Sequence, residues 1–186
     1  MATFYLIRHG QPEYDQLDEF GFYGFGRDFA PLSKPGISQA YHAAKDARLQ
    51  TADIIISSPY TRALQTAQII SYVTGIPVTV EVGLHEWIPD LTNTYSSSEE
   101  SFRLSAEFVK YKGIYPAGRT MRWESLEHMR RRMRAVADRY ENYEKVIVIG
   151  HGMSLRTLTY IKEMLPGQIV ECTYSSDQPD CEYSFC

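Results

Sequence analysis

Two short stretches hold the side chains with the most chemical promise. Near one end of the chain "YLIRHG" (5–10) closes on Arg8-His9-Gly10, and far along it "VIVIGHG" (146–152) closes on His151-Gly152. A third segment, "SSPYTR" (57–62), follows another apolar run and carries Arg62. Two guanidinium groups and two imidazoles brought to one place would make a nest for a phosphate dianion, because guanidinium forks match phosphate oxygens bidentately. The glycines would let backbone amides approach such a ligand with no side chain between. A single His-Gly pair is common, and Arg62 alone would read as a solvated residue at a helix end. The argument rests on their joint placement.

That placement needs a scaffold. Four apolar runs, Thr3–Ile7, Ile54–Ile56, Pro77–Val82 and Val146–Ile149, are rich in Val, Ile, Phe or Tyr. Such runs suit strands buried on both faces, as in a parallel sheet. Helical spacing of apolar residues predicts helices over Ser33–Leu49, Tyr60–Thr74, Glu124–Tyr143 and Ser154–Leu165. Strands alternating with helices predict a three-layer α/β/α sandwich around a mostly parallel sheet. In open sheets of this kind ligands bind beyond the carboxyl ends of the strands, where His9, Arg62 and His151 all fall. The interval 88–122 breaks the rhythm with the polar stretch "NTYSSSEES", one helical pattern and a loop rich in Lys, Gly, Pro and Arg. It reads as an insertion over the rim within a single domain spanning 1–186.

Composition narrows the class. At 186 residues and 44% hydrophobic content the chain should bury roughly 70% of its unfolded surface as one domain. A net charge of -4 and a pI near 5.7 argue against nucleic-acid or anionic-membrane partners. The basic run "MRRRMR" (129–134) does not change this, because helical spacing buries Met129 and Met133 and spreads the arginines over a solvated surface. No apolar run is long enough to span a membrane, and the N-terminus lacks the layout of a signal peptide, so a cytoplasmic protein is expected. Cys172, Cys181 and Cys186 crowd the last fifteen residues, an odd set that suits reduced thiols. His42, His85 and His128 are dispersed, so no metal site and no cofactor are expected.

Taken together, "RHG", "DFAPLSKPGISQA" (28–40), "IIISSPYTRALQTA" (54–67), Glu86 after the third strand, and "VIGHG" followed by "SLRTL" resemble the histidine phosphatase superfamily, the phosphoglycerate mutase-like proteins. The resemblance covers nearly the whole chain in order. It implies that His9 is a nucleophile that becomes phosphorylated, that Arg8, Arg62 and His151 hold the phosphoryl oxygens, and that Glu86 donates the proton. A histidine with an ordinary pKa near 6.5 is largely neutral at pH 7, as attack on phosphorus requires. Arginines and a cationic His151 would then stabilise charge spread over the equatorial oxygens.

Two departures from the family pattern stand out. Relatives carry Thr or Ser just after the motif and an Asn further on; here Pro12 and Asp15 stand at about those places. A carboxylate cannot donate to phosphate, so Gln11 is the candidate for that contact and Gly152 offers its backbone. The loop "EFGFYGFGRDF" (19–29) is crowded with aromatic residues, read either as packing or as an apolar lip selecting the leaving group. Glu13, Asp15, Asp18 and Glu19 are alternative acids. The expected function is a metal-independent phosphatase acting on a small phosphorylated substrate or a phosphopeptide. The alternatives are a phosphoglycerate mutase and a binding protein without turnover. The short chain favours hydrolysis. Oligomeric state is not legible.

Overall fold

Strand β1 (Ala2–Arg8) divides the molecule into layers. Successive side chains of a strand point to opposite faces, and here both faces are covered. Phe4 and Leu6 enter one apolar cluster while Tyr5 and Ile7 enter another, and all four are buried. In the computed structural model, which describes residues 1–95 and 97–185, β1 is joined by β2 (Ile54–Ser57), β3 (Val78–Val80) and β4 (Lys145–Gly150) in parallel, and by β5 (Ile169–Tyr174) antiparallel. The order is β3-β2-β4-β1-β5. Ser96, inside the polar stretch, and Cys186 lie outside the described residues.

Helices α2 (Lys34–Ala44) and α3 (Thr61–Thr74) cover one face, where Ala44, Ala63, Ala67 and Ile70 pack on Tyr5, Ile7, Ile55, Ile147 and Ile149. Small residues on the helices let them lie close to the β-branched sheet. The other face takes α4 (Ser98–Lys110) and α5 (Leu126–Ala137), with Leu104, Phe108, Met129, Met133 and Val136 against Phe4, Leu6, Val146 and Val148. Ser33, Ser97 and Ser125 each cap a helix by accepting an N–H from three residues on. Short helices α1 (Asp15–Glu19) and α6 (Gly152–Leu155) follow β1 and β4. This is the mostly parallel sheet between helical layers that the alternating pattern predicts.

The details differ in places. The helix expected over Ser33–Leu49 stops at Ala44, because Asp46 accepts from the Arg48 amide at 2.9 Å and opens a separate 3-10 turn, Ala47–Thr51. The helix expected over Ser154–Leu165 reduces to α6. Arg156 there collects the carbonyls of Gly152, Lys162 and Ser184, a pattern incompatible with continued helix. Strand β5 was not expected: it is an edge strand, half-exposed, with Glu171 and Cys172 breaking the apolar run. The segment 88–122 is tied at its base, where Arg122 pairs with Asp90 at 2.5 Å and with Glu100 at 2.8 Å. No helix among the described residues is long and apolar enough to cross a membrane. Cys172 and Cys181 are free thiols.

Candidate active site

The end of β1 turns sharply at Gly10. A Cβ on Gly10 would lie 2.3 Å from the Gly36 carbonyl oxygen, and one on Gly36 would lie 2.1 Å from that of Gln11. These glycines exist for backbone-to-backbone contact between the β1 turn and the start of α2. The expectation that Gly10 opens its amide to a ligand is corrected: that amide donates to Thr66 Oγ1 at 3.1 Å. Held so, His9 is buried, and its Nδ1 lies 2.7 Å from the Gly10 carbonyl. A carbonyl only accepts, so Nδ1 carries the proton and Nε2 the lone pair. Nε2 accepts from Arg62 Nε at 3.3 Å.

His151, at the end of β4, is fully buried and meets His9 edge-on, ring centres 5.0 Å apart. Its Nε2 lies 2.7 Å from Ser58 Oγ, which also accepts the Tyr60 amide at 3.3 Å. A Ser58 hydroxyl that donates to Nε2 puts the ring proton of His151 on Nδ1, while the second lone pair of that hydroxyl would equally accept from a protonated Nε2. Burial above all, then the Arg62 guanidinium and Arg8, pulls His9 from 6.5 down to about 3, against the opposing pull of the Gly10 carbonyl. Burial, then the His9 ring and Arg62, holds His151 well below its ordinary value. Burial thus favours a neutral His151 ring over the cation expected from the sequence.

Arg62 lies in the first turn of α3, buried, its guanidinium over the Tyr60 ring at 4.9 Å. Arg8 donates Nη1 to the Met164 carbonyl at 2.6 Å and lies against Gly152, where a Cβ would sit 3.5 Å from Arg8 Nε. Three buried nitrogens of this group, two of them guanidinium donors, have no partner among the described residues: Arg8 Nε, Arg62 Nη1 and His151 Nδ1. Unpaired buried nitrogens are costly, and three on neighbouring residues are the mark of a site shaped for acceptor oxygens.

A cavity of about 390 Å³ opens beside Arg62. Asp28 and Glu86 put two carboxyl groups in its wall, and Phe25, Trp87, Tyr95 and Phe102 give it aromatic sides. Glu86 Oε1 accepts from the amides of Trp87 at 2.8 Å and Ser154 at 3.0 Å, and Oε2 from that of Met153 at 3.2 Å. Its loop is clamped by Arg132, which donates to the carbonyls of Gly83, His85 and Glu86 and pairs with the buried Glu124 at 2.7 Å. Arg130 and Arg134 likewise bind the carbonyls of Cys181 and Ser176. The basic run is therefore a set of structural clamps, with only Arg131 left as the solvated surface expected of it.

Several residues escaped the sequence reading. Asp28 Oδ1 lies 3.5 Å from Arg62 Nη2, and the Tyr60 hydroxyl hydrogen-bonds its carboxyl. Burial pushes Asp28 up to about 6, Arg62 and Tyr60 oppose that, and Glu86 adds to it. Ser58 and Tyr60 stand inside "SSPYTR", but their partners lie on other elements. Glu13, Asp15, Asp18 and Glu19 do not line the cavity, and Asp18 pairs with Arg27. Gln11 is exposed and away from the cavity; its amide donates to Gln39 and its carbonyl accepts from Ser33. Of the aromatic loop, Phe25 joins the cavity beside Tyr95, whereas Phe20, Tyr23 and Phe29 are exposed. His85 turns its ring toward Tyr60, centres 6.4 Å apart.

Known proteins resemble this chain along most of its length. "Probable phosphoglycerate mutase GpmB" of Photorhabdus laumondii subsp. laumondii is 28% identical over 166 residues, covering 85% of this chain and 73% of that one. "Putative phosphoserine phosphatase 2" of Hydrogenobacter thermophilus is 28% identical over 163 residues, covering 85% and 77%. The structure of a mycobacterial glucosyl-3-phosphoglycerate phosphatase in complex with VO3 superposes with a TM-score of 0.61 at 22% identity, over 83% of this chain and 77% of that one. Residues 4–173 match the histidine phosphatase superfamily, branch 1, and the chain belongs to that family.

Proposed function

We propose that the protein is a phosphatase that hydrolyses phosphomonoesters through a phosphohistidine on His9. The observation that carries this is the trio of unpaired buried nitrogens, Arg8 Nε, Arg62 Nη1 and His151 Nδ1, set around a histidine whose Nε2 bears the lone pair. A phosphoryl group attacked by Nε2 would offer its three equatorial oxygens to those three nitrogens. Catalysis of phosphoryl transfer is mainly such positioning and charge stabilisation, and two guanidinium groups supply it from the chain itself. The desolvated, neutral His9 is ready to attack across the physiological range, and the bound ester displaces Arg62 Nε from it. The leaving oxygen departs away from His9, toward the cavity. There Glu86, the donor implied by the family resemblance, and Asp28 are the available carboxyl groups. Water then attacks phosphorus, and the P–N electron pair returns to Nε2.

A phosphoglycerate mutase is the second reading, favoured by the similarity to the GpmB protein. Its substrate carries a second anionic group that would need a cation in the cavity wall. Besides Arg62, the wall holds Arg27, which pairs with Asp18 and lies over the Tyr14 ring at 4.5 Å, and it adds the carboxyl groups of Asp28 and Glu86. That balance supports an ester with an uncharged leaving group, and the cavity volume suits a small molecule. Incubation with 4-nitrophenyl phosphate in EDTA tests the proposal. Release of phosphate by the wild type, lost in His9→Ala, is expected. Turnover surviving that substitution overturns it, and label on the protein without turnover points to a mutase or a binder.

A further inference from the structure

The aromatic loop contributes one charged side chain to the cavity wall that pairs with no loop neighbour. Asp28 reaches across to α3, its Oδ1 3.5 Å from Arg62 Nη2 and its carboxyl hydrogen-bonded by the Tyr60 hydroxyl. Arg62 in turn touches His9 Nε2 through Nε. Asp28 and the nucleophile thus contact different nitrogens of one guanidinium, and Asp28, unlike His9, lines the cavity. The other carboxyl group of the wall is differently placed. Glu86 accepts the amides of Trp87 and Ser154 at Oε1 and of Met153 at Oε2, which ties it to the turn that follows His151.

We propose that Asp28 is the acid that protonates the leaving oxygen, and that substrate binding itself loads it with the proton. This rests on the phosphatase reading above. A phosphate dianion that takes over Arg62 strips Asp28 of its cation and sets two negative charges beside it. The groups facing Asp28 are Arg62 and Tyr60 from α3 and its cap, Glu86 from the loop after β3, Tyr95 from the following segment, and Arg27 and Tyr14 from its own side. Arg62 is the cation on which the phosphoryl oxygens converge, and Arg27 is held by Asp18. With the Arg62 charge engaged by the phosphate, the Tyr60 hydrogen bond is the main remaining opposition to proton uptake by a carboxyl that burial has already raised to about 6. Two carboxyl groups with contrasting surroundings mark a division of proton work. In the first displacement the Nε2 lone pair forms the N–P bond, the P–O bond breaks, and the leaving oxygen takes the electron pair together with the Asp28 proton. In the second, water attacks phosphorus and yields a proton to the Asp28 carboxylate as the P–N bond breaks.

The test compares kcat/KM for propyl phosphate and 4-nitrophenyl phosphate in wild type, Asp28→Asn and Glu86→Gln. The asparagine keeps the shape and can still accept from Tyr60. Removing a general acid costs about 100-fold or more where the leaving group is poor. The ratio of propyl to nitrophenyl rates should therefore fall by about 100-fold in Asp28→Asn and stay near the wild-type ratio in Glu86→Gln. Calorimetric titration with tungstate, a dianion throughout the range, should show uptake of close to one proton near pH 7 in the wild type and none in Asp28→Asn. A ratio that moves in Glu86→Gln instead, or tungstate binding with equal proton uptake in both proteins, overturns the proposal. His9-dependent turnover with an unmoved Asp28→Asn ratio removes this inference alone; absence of His9-dependent turnover in the wild type removes the phosphatase reading with it.

Discussion

The ends of β1 and β4 deliver a histidine followed by a glycine, and the two rings are wired in opposite senses. His9 gives its Nδ1 proton to the next carbonyl and turns a lone pair on Nε2 toward Arg62. His151 Nε2 instead meets the Ser58 hydroxyl, and its Nδ1 is buried with no partner among the described residues. With Ser58 as the donor to Nε2, one site presents electrons and the other a hydrogen-bond donor. The difference comes from local partners, a backbone carbonyl at one strand end and a serine hydroxyl at the other, because both rings are neutral and buried. Two superficially similar motifs thus differ in their hydrogen-bonding surroundings, which suits the proposed roles of nucleophile and stabiliser.

Several substitutions break that contrast. His9→Ala removes the proposed nucleophile and should reduce turnover by at least about 10⁴-fold in a phosphate-release assay. His151→Ala removes one donor to the developing charge, and kcat should fall about 10²- to 10³-fold with a much smaller change in KM. Ser58→Ala leaves the donor in place but releases its orientation, since Nε2 loses the hydroxyl that, as a donor, assigns the proton to Nδ1. A loss of roughly 10-fold in kcat/KM, about 1.4 kcal/mol, is expected. An effect of Ser58→Ala as large as that of His151→Ala would mean that His151 depends on this tautomer entirely.

The shared burial sharpens the comparison through stability. A histidine with a lowered folded-state pKa binds fewer protons when folded than when unfolded, so its contribution is intact above about 6.5 and is lost as pH falls toward about 3. Asp28, raised to about 6, works in the opposite sense between about 6 and 4 and offsets roughly one histidine. Urea denaturation of wild type and His9→Gln should give slopes of stability against pH that differ by about 1.4 kcal/mol per unit near pH 5. Equal slopes would show that His9 titrates normally.

Much of this site was legible in the sequence, for a physical reason. Arg8 and His9 close one apolar run that suits a strand, His151 follows another, Arg62 opens the helix after a third, and parallel topology sends such ends to one rim. The pairing of β1 with β4, with Arg8 opposite Gly150, sets the two histidine turns side by side. What was not legible depends on contacts between segments far apart. Asp28 meets Arg62 across 34 residues, and Arg132 clamps Gly83, His85 and Glu86 from a run that reads as plain surface charge. The lowered pKa of His151 was equally hidden, because it comes from complete burial and from the neighbouring His9 ring and Arg62. Edge strand β5 lacked the doubly buried pattern that revealed its neighbours.

The central claim is that the phosphoryl group rests on Nε2 of His9. Rapid acid-free quenching of the protein during turnover of a labelled aryl phosphate, followed by mass spectrometry and phosphorus NMR, tests it directly. The account predicts an acid-labile, base-stable phosphohistidine at His9, substituted at Nε2. Phosphorus found on Nδ1, on His151, or on no residue while turnover continues would contradict it.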